Sequence, residues 1–381
     1  MATFSSNCAD VVVGNPPWGS PGKKTEEREA REAMDVALKW CENQKPRLEV
    51  GDREWSQAFV HRIGTLLRSG GQAGLLLSAG VLFKSHENSK AFRRQWLESV
   101  VLRRIVNFAH VRDVFFQGKT RQTGAQAPFI SVTFAKQTPG DDKVNFEYWS
   151  AKKTAMVQGT QAVVLNKTDL HCLFQADVME NDDLWKIFWW GNHRDEALIR
   201  TLKMEPHIDE LTIRGVQLTD EDIGQGYIVG QSGERDACKE LQDLDLLPTR
   251  TFRRYGSAEL VREIKSNKFY RKGNFRLFEG IRLLIKRGIA EHGSEKGQII
   301  ARLATKRFRV NSSINGIRLP DRSDTEAKIL LGIFWSSLAR YYFWLTAGSW
   351  MWHNEIHLED VRRLPVRLPK SNGIANRIID L

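Results

Sequence analysis

The sequence predicts an α/β fold: an open Rossmann-like sheet with packed helices, followed by a mixed α+β second domain. Three observations predict it. Apolar runs alternate with helical patterns through the first 150 residues, this alternation stops near residue 155, and a concentration of positive charge begins near residue 250. A length of 381 residues suits two domains, each with its own core.

Taken in order, Ala9–Gly14 is a continuous apolar run, expected as a short, fully buried parallel strand. From Ser20 to Gly51 the chain is polar, a long loop or lid carrying a helix. Trp55, Phe59, Ile63, Leu66 and Leu67 fall on one helical face, and RSGGQ stops that helix. AGLLLSAGVLF (73–83) reads as a second buried strand, residues 88–98 as a helix and VLRRIVNF (101–108) as a strand. PFISVTFAK (128–136) alternates as a half-exposed or edge strand does, with VNFEYW (144–149) as its neighbour. We therefore expect a sheet domain over residues 1–155, a tryptophan-rich helical connector over 156–205 and a basic domain over 206–381. In the last, GYIVG, FRLFEG, RLLIKRG and QIIARLA are short strand candidates, and Glu326–Leu345 reads as one long helix.

The charge is localised. Arg250 to Arg309 holds 17 Lys or Arg against five acidic residues, while the whole chain carries only +11. Such a segment suits a phosphate backbone, with a solvated basic face as the plainer alternative. A membrane surface fits less well, because the cations interleave with Phe and Tyr. No apolar stretch is long enough to span a bilayer. The N-terminal residues lack a signal-peptide pattern, and the four cysteines are scattered without a C-x-x-C pair. This predicts reduced thiols, a cytoplasmic location and no zinc site.

One motif stands out. VVVGNPPWGS (11–20) follows a strand with Asn15, Pro16, Pro17 and Trp18, a tetrapeptide expected by chance in roughly one of a few hundred chains this long. The bland reading is a turn, since Asn-Pro starts turns. The chemical reading notes that open α/β sheets place their sites at the C-terminal ends of strands. There the Asn15 side-chain oxygen and the Pro16 carbonyl are two acceptors suited to one amine, and Trp18 can stack on the ring bearing it.

NPPW at a strand end resembles motif IV of the DNA methyltransferases that move a methyl group from S-adenosylmethionine to the 6-amino group of adenine. WSQAFVHRIGTLLRSGGQAGLLLSAGVLFKS, WLESVVLRRIVNFAHVRDVFF and APFISVTFAK are similar to later motifs of the gamma-ordered enzymes. FRLFEGIRLLIKRG, ILLGIFWSSLARYYFWL and EIHLEDVRRLPVRLP resemble their target-recognition domain. The resemblance implies that Asn15 and Pro16 accept hydrogen bonds from a flipped adenine and that Trp18 stacks on it, with Phe129, or its rival Phe134, as a second aromatic. Phe129 reads equally well as plain core. The resemblance also implies double-stranded DNA as partner, with Arg253, Arg254, Arg271, Lys272, Arg276 and Lys306 as candidate backbone contacts.

Enzymes of this order carry an aromatic-x-Gly-x-Gly cofactor turn well before motif IV. Here ten residues precede Val11, and LTAGSWMW and IGQGYIVG are only loose candidates. The expectation is a C-terminal portion, from motif IV through the recognition domain, whose missing cofactor half is supplied by a separate chain or lost. Its first strand should then leave an apolar edge open. The rival reading is a DNA-binding specificity subunit or relic without catalysis. A chance turn in an unrelated α/β protein is a third. HNEIH (353–357) is not the metalloprotease spacing, Lys23 and Lys24 could touch phosphate or be solvated, and no nuclease motif is evident.

Overall fold

The computed structural model describes residues 5–21, 28–116, 128–140, 144–229, 236–255, 259–262, 268–290, 293–348 and 355–369. Contacts divide the chain into two compact units, Met1–Glu196 and Ala197–Leu381.

The first unit is α/β. Strands β1 (Ala9–Gly14), β2 (Leu67–Ser78), β3 (Val100–Asn107), β4 (Phe129–Lys136), β5 (Asn145–Ser150) and β6 (Leu170–Phe174) form one mixed sheet in the order β1-β2-β4-β3-β5-β6. Two expectations about β4 are corrected here. It is no edge strand, because it lies antiparallel between β2 and β3 with both neighbours hydrogen-bonded along its length. Nor is β5 its neighbour: β5 runs parallel to β3 and antiparallel to β6.

β1 is a strand, parallel to β2, but it is not buried. Val11 is 64% and Val13 82% exposed. Among the described residues β1 pairs only with β2, so its outer backbone edge is open, and Val11 and Val13, on one face of the strand, are turned to solvent. β2 starts six residues earlier than the apolar run suggests. Gly70, at φ +75°, and Gly71, where an added Cβ would stand 2.9 Å from the Ala9 carbonyl, let its polar start press against β1.

Helices α1 (Arg28–Glu42), α2 (Trp55–Leu66), α3 (Gly80–Phe83) and α4 (Glu87–Ser99) complete the layers. In α2 the buried face is set by Ala58, Val60 and Ile63 together with Ser56, Gln57 and His61, while Phe59 is exposed. The polar members are buried because each has a hydrogen-bond partner. A register shift in β3 between Leu102 and Arg104 is held by Gln175. Its amide accepts from the Leu102 N–H at 2.9 Å and donates to the Leu97 and Val100 carbonyls, each at 2.7 Å. The tryptophan-rich stretch also packs in this unit: in the helix Leu184–Trp190, Trp185 is fully buried against Phe146 and Tyr148. The helix His193–Leu202 follows.

The second unit is built from short strands: the hairpin β7 (Thr212–Ile213) and β8 (Val216–Gln217), then β9 (Ile223–Gln225), then the pair β10 (Asp236–Ala237) and β11 (Lys268–Phe269). With β12 (Arg282–Lys286), β13 (Ala301–Ala304) and β14 (Ile314–Arg318), β9 forms a four-stranded antiparallel sheet in the order β13-β12-β14-β9. RLLIKRG and QIIARLA thus supply strands, whereas FRLFEG folds as a 3-10 turn, Phe275–Phe278. The expected long helix is two, Asp324–Trp335 and Ser337–Thr346. Ser336 breaks it by adopting extended backbone (ψ 152°) and capping the second helix through the Ala339 N–H. Among the described residues no helix is long and apolar enough to cross a membrane.

Candidate functional site

The chain leaves β1 at Gly14, paired with Leu75 of β2, and Asn15-Pro16-Pro17-Trp18 passes over the C-terminal end of the strand. Two prolines cannot extend a strand, so the turn is obligatory. Asn15 is exposed and Pro16 buried, and among the described residues the Asn15 amide has no hydrogen-bond partner.

Trp18 is fixed from two sides. Its indole N–H donates to the Leu76 carbonyl of β2 at 3.2 Å, and its ring stacks on Phe129 at 5.6 Å and 15°. The other stacking partner of Phe129 is Phe108, at 5.3 Å and 23°, with Phe115 and Phe116 edge-on. Phe129 is 5% exposed. A flat base held between two rings needs them about 7 Å apart, twice a contact distance, so the Trp18–Phe129 stack holds none. Phe129 is thus a platform beneath Trp18. Phe134, an odd number of residues along β4, points to the opposite face and packs on Trp96.

Beyond Trp18 the turn is tied down by a residue that sequence reasoning missed. Glu54, 1% exposed, accepts the Gly19 N–H at 2.7 Å and Lys84 Nζ at 2.9 Å. The Ser56 hydroxyl lies 3.3 Å from the Pro17 carbonyl and 3.4 Å from the Glu54 carboxylate, and Trp55 N–H donates to Gly19 O at 3.0 Å. Gly19 needs its φ of +78° to make this reversal. Lys84 also meets Asp52 at 3.4 Å, and the Lys84 carbonyl accepts from the buried Arg93, which forms a two-point pair with Asp182. Glu54 itself falls just before the motif-like stretch WSQAFVHRIG; the one hint is a Glu directly before the apolar face of a helix.

The candidate phosphate contacts of the second unit are dispersed, and several are already engaged. Arg254 donates to Gln298 and to the Trp335 carbonyl, with its guanidinium 4.9 Å from the Trp335 ring centre. Arg271 donates to Gln225, and Arg276 pairs with Glu221 and Asp222. Lys272 and Lys306 are exposed, and Arg253 lines a cleft beside Arg254. Part of the basic segment is core. Arg282 is fully buried over Phe308, its pKa pushed down to about 10 chiefly by burial, and Arg309 is buried over Tyr227.

Gly224 and Gly226 of IGQGYIVG serve packing, and Gly230 lies outside the described residues. A Cβ on Gly226 would stand 2.0 Å from the Val310 carbonyl, and one on Gly224 would stand 2.8 Å from Asn274. LTAGSWMW runs beyond the described residues after Gly348, and His353, Lys23 and Lys24 lie outside them. Among the described residues no cluster of metal-ligating side chains occurs.

No curated protein matches the chain. Among solved structures, the type IIL restriction-modification enzyme MmeI in complex with DNA is 10% identical with a TM-score of 0.48, over 98% of this chain and 48% of that one. The ATP-dependent type ISP restriction-modification enzyme LlaBIII bound to DNA gives 11% and 0.46 over 97% and 29%. The type IIG restriction endonuclease BpuSI gives 12% and 0.38 over 97% and 48%. This chain thus spans about half or less of those chains. Residues 2–115, which carry β1, the Asn15–Trp18 turn and Glu54, are similar to the family described as Eco57I restriction-modification methylase.

Proposed function

We propose that this chain is the base-holding and DNA-binding portion of an adenine-N6 DNA methyltransferase of a restriction-modification system. The observation that carries the reading is the strand-end turn, in which an exposed Asn15 amide, without a partner among the described residues, sits beside a Trp18 stacked on Phe129. The match of residues 2–115 supports it. In this reading Asn15 Oδ1 and the Pro16 carbonyl accept the two hydrogens of an extruded amine, and the rigid Pro16-Pro17 backbone fixes their spacing. The outer face of Trp18 stacks on the base, while Phe129 holds the indole from behind.

S-adenosylmethionine is the methyl donor that the resemblance implies, but the described residues do not fit it. The Gly224 and Gly226 pair is filled by neighbouring backbone and side chains, and the outer edge of β1, beside the turn, has no paired strand among the described residues. The donor site in this reading needs further polypeptide at the β1 edge, such as a separate chain. The same observation favours a second reading, a specificity subunit that binds DNA without catalysis.

Calorimetric titration of the full chain with S-adenosylmethionine, with and without duplex DNA, tests whether the chain itself completes a donor site and whether it binds DNA. Micromolar binding supports a complete methyltransferase site. DNA binding without cofactor binding is expected both of a portion whose donor site lies on further polypeptide and of a specificity subunit, and methylation in a cofactor-competent assembly then separates those two. Neither binding refutes both. In a cofactor-competent assembly Asn15→Ala should lower methylation at least 100-fold with DNA affinity nearly unchanged, the loss expected when oriented contacts to the reacting group disappear.

A further inference from the structure

The second unit contains a cleft of about 800 Å³ lined by Arg253, Arg254, Tyr255, Lys286, Glu295 and Gln298, among others. It shares Arg254 and Gln298 with a smaller depression of about 120 Å³ that reaches Ser337 and Arg340 at the start of the helix Ser337–Thr346. Among the described residues four cations line these two adjoining hollows against one carboxylate, Glu295. That carboxylate is engaged, accepting the Arg254 backbone N–H at 2.7 Å.

The cations divide by role. Arg254 is fixed by Gln298 and Trp335 and acts as a strut. Among the described residues Arg253, Lys286 and Arg340 make no ion pair or side-chain hydrogen bond. Lys286 is held below the usual lysine range by partial burial and by Arg253, with Glu295 acting the other way, and Arg340 adds to the burial that lowers Arg254. An excess of like charge over the one described carboxylate, gathered in a concave site, marks a place for an anion. The wall is aromatic. Tyr255 is 68% exposed and leans at 57° on Trp335, with 5.1 Å between ring centres, so much of its ring remains open.

We propose that this cleft seats the phosphodiester backbone of DNA, with Arg253, Lys286 and Arg340 each meeting a phosphate and Tyr255 packing against the sugar. The assignment rests on the DNA-binding part of the proposed function and places the contact here, rather than along the Arg271–Arg276 stretch that the sequence also offers. Lys286 and Arg340 were not among the sequence candidates. One lies in a strand and the other in a helix 54 positions on, and only folding brings them beside Arg253.

The test is fluorescence anisotropy of a labelled 30-base-pair duplex of mixed sequence with the full chain, titrated from 50 to 300 mM KCl. The variants are Arg253→Gln, Lys286→Gln, Arg340→Gln, their triple combination and Tyr255→Ala, each checked by circular dichroism and thermal melting. Each charge removal should reduce the slope of log K against log salt by about 0.9, and the triple by about 2.7. The triple should also weaken binding at least tenfold at 100 mM, and Tyr255→Ala should weaken it with the slope unchanged. If the folded triple variant keeps the wild-type slope, the cleft is not the phosphate seat, although the DNA reading stands. If the wild-type chain binds no duplex even at 50 mM, both fall. Where the triple does not fold, the single variants carry the same test.

Discussion

Replacing Glu54 by Gln tests how the Asn15–Trp18 turn is held. The carboxylate is buried and takes one backbone N–H, one ammonium and a long contact from a hydroxyl. An amide keeps one acceptor oxygen for Gly19 but presents an NH2 group toward Lys84, so a charge-assisted bond becomes a donor facing a donor. A hydrogen bond to a charged group contributes about 1.5–3 kcal/mol, and breaking a buried pair costs about 3–5 kcal/mol. The Lys84 side chain is 30% exposed and retains Asp52 at 3.4 Å, so the cost falls below the buried-pair range and within the charged hydrogen-bond range, at about 2–3 kcal/mol. Two readouts are needed. Urea unfolding gives the stability change. Fluorine NMR of 5-fluorotryptophan protein, with the Trp18 signal assigned by its absence in Trp18→Phe, reports the turn itself. The expected result is a lowered midpoint together with a shifted or broadened Trp18 signal. A stability loss below about 0.5 kcal/mol would show that the pair is not energetically coupled. A full loss with the Trp18 signal unmoved would show that Glu54 stabilises the unit without fixing the turn.

Three further outcomes follow from the packing. Gln175→Leu leaves the Leu102 N–H and the Leu97 and Val100 carbonyls unsatisfied at the β3 irregularity, and should cost about 3 kcal/mol or more in urea unfolding. His61 is buried, and its pKa is lowered to about 4, chiefly by burial. Its contribution is therefore complete above about pH 6.5 and falls as the unfolded chain takes up the proton, reaching a loss of about 2 kcal/mol by pH 5; His61→Gln should flatten that part of the stability–pH profile. Phe129→Leu keeps an apolar residue under Trp18 but removes two ring stacks, so about 1–3 kcal/mol should be lost and the Trp18 fluorine signal should move, with an unmoved signal refuting the platform role.

Much of the first unit was legible because its signals are local. Two prolines and an aromatic after an apolar run fix a turn whatever surrounds it, and the runs that became β2, β3 and β4 are long enough to be strands in any context. Their neighbours were not legible. β4 alternates in sequence as an edge strand does, yet lies inside the sheet, because strand order depends on which edges the rest of the chain offers. Conversely, Val11 and Val13 read as buried but are exposed, although the open edge of their strand was itself expected.

Charge followed the same division. The sequence by itself determined that residues 250–309 are strongly basic and that an Asn-Pro-Pro-Trp turn ends the first strand, since composition and proline stereochemistry need no partner. Only the tertiary structure decided that Arg282 and Arg309 are buried, that Arg254 is a strut, and that Lys286 stands with Arg253 in one cleft with Arg340 in the depression adjoining it. It also decided that Glu54 and Lys84, thirty residues apart, lock the turn. The physical reason is that a cation's availability and a carboxylate's hold on a backbone N–H depend on which other groups share the space, and that is settled by long-range packing rather than by spacing along the chain.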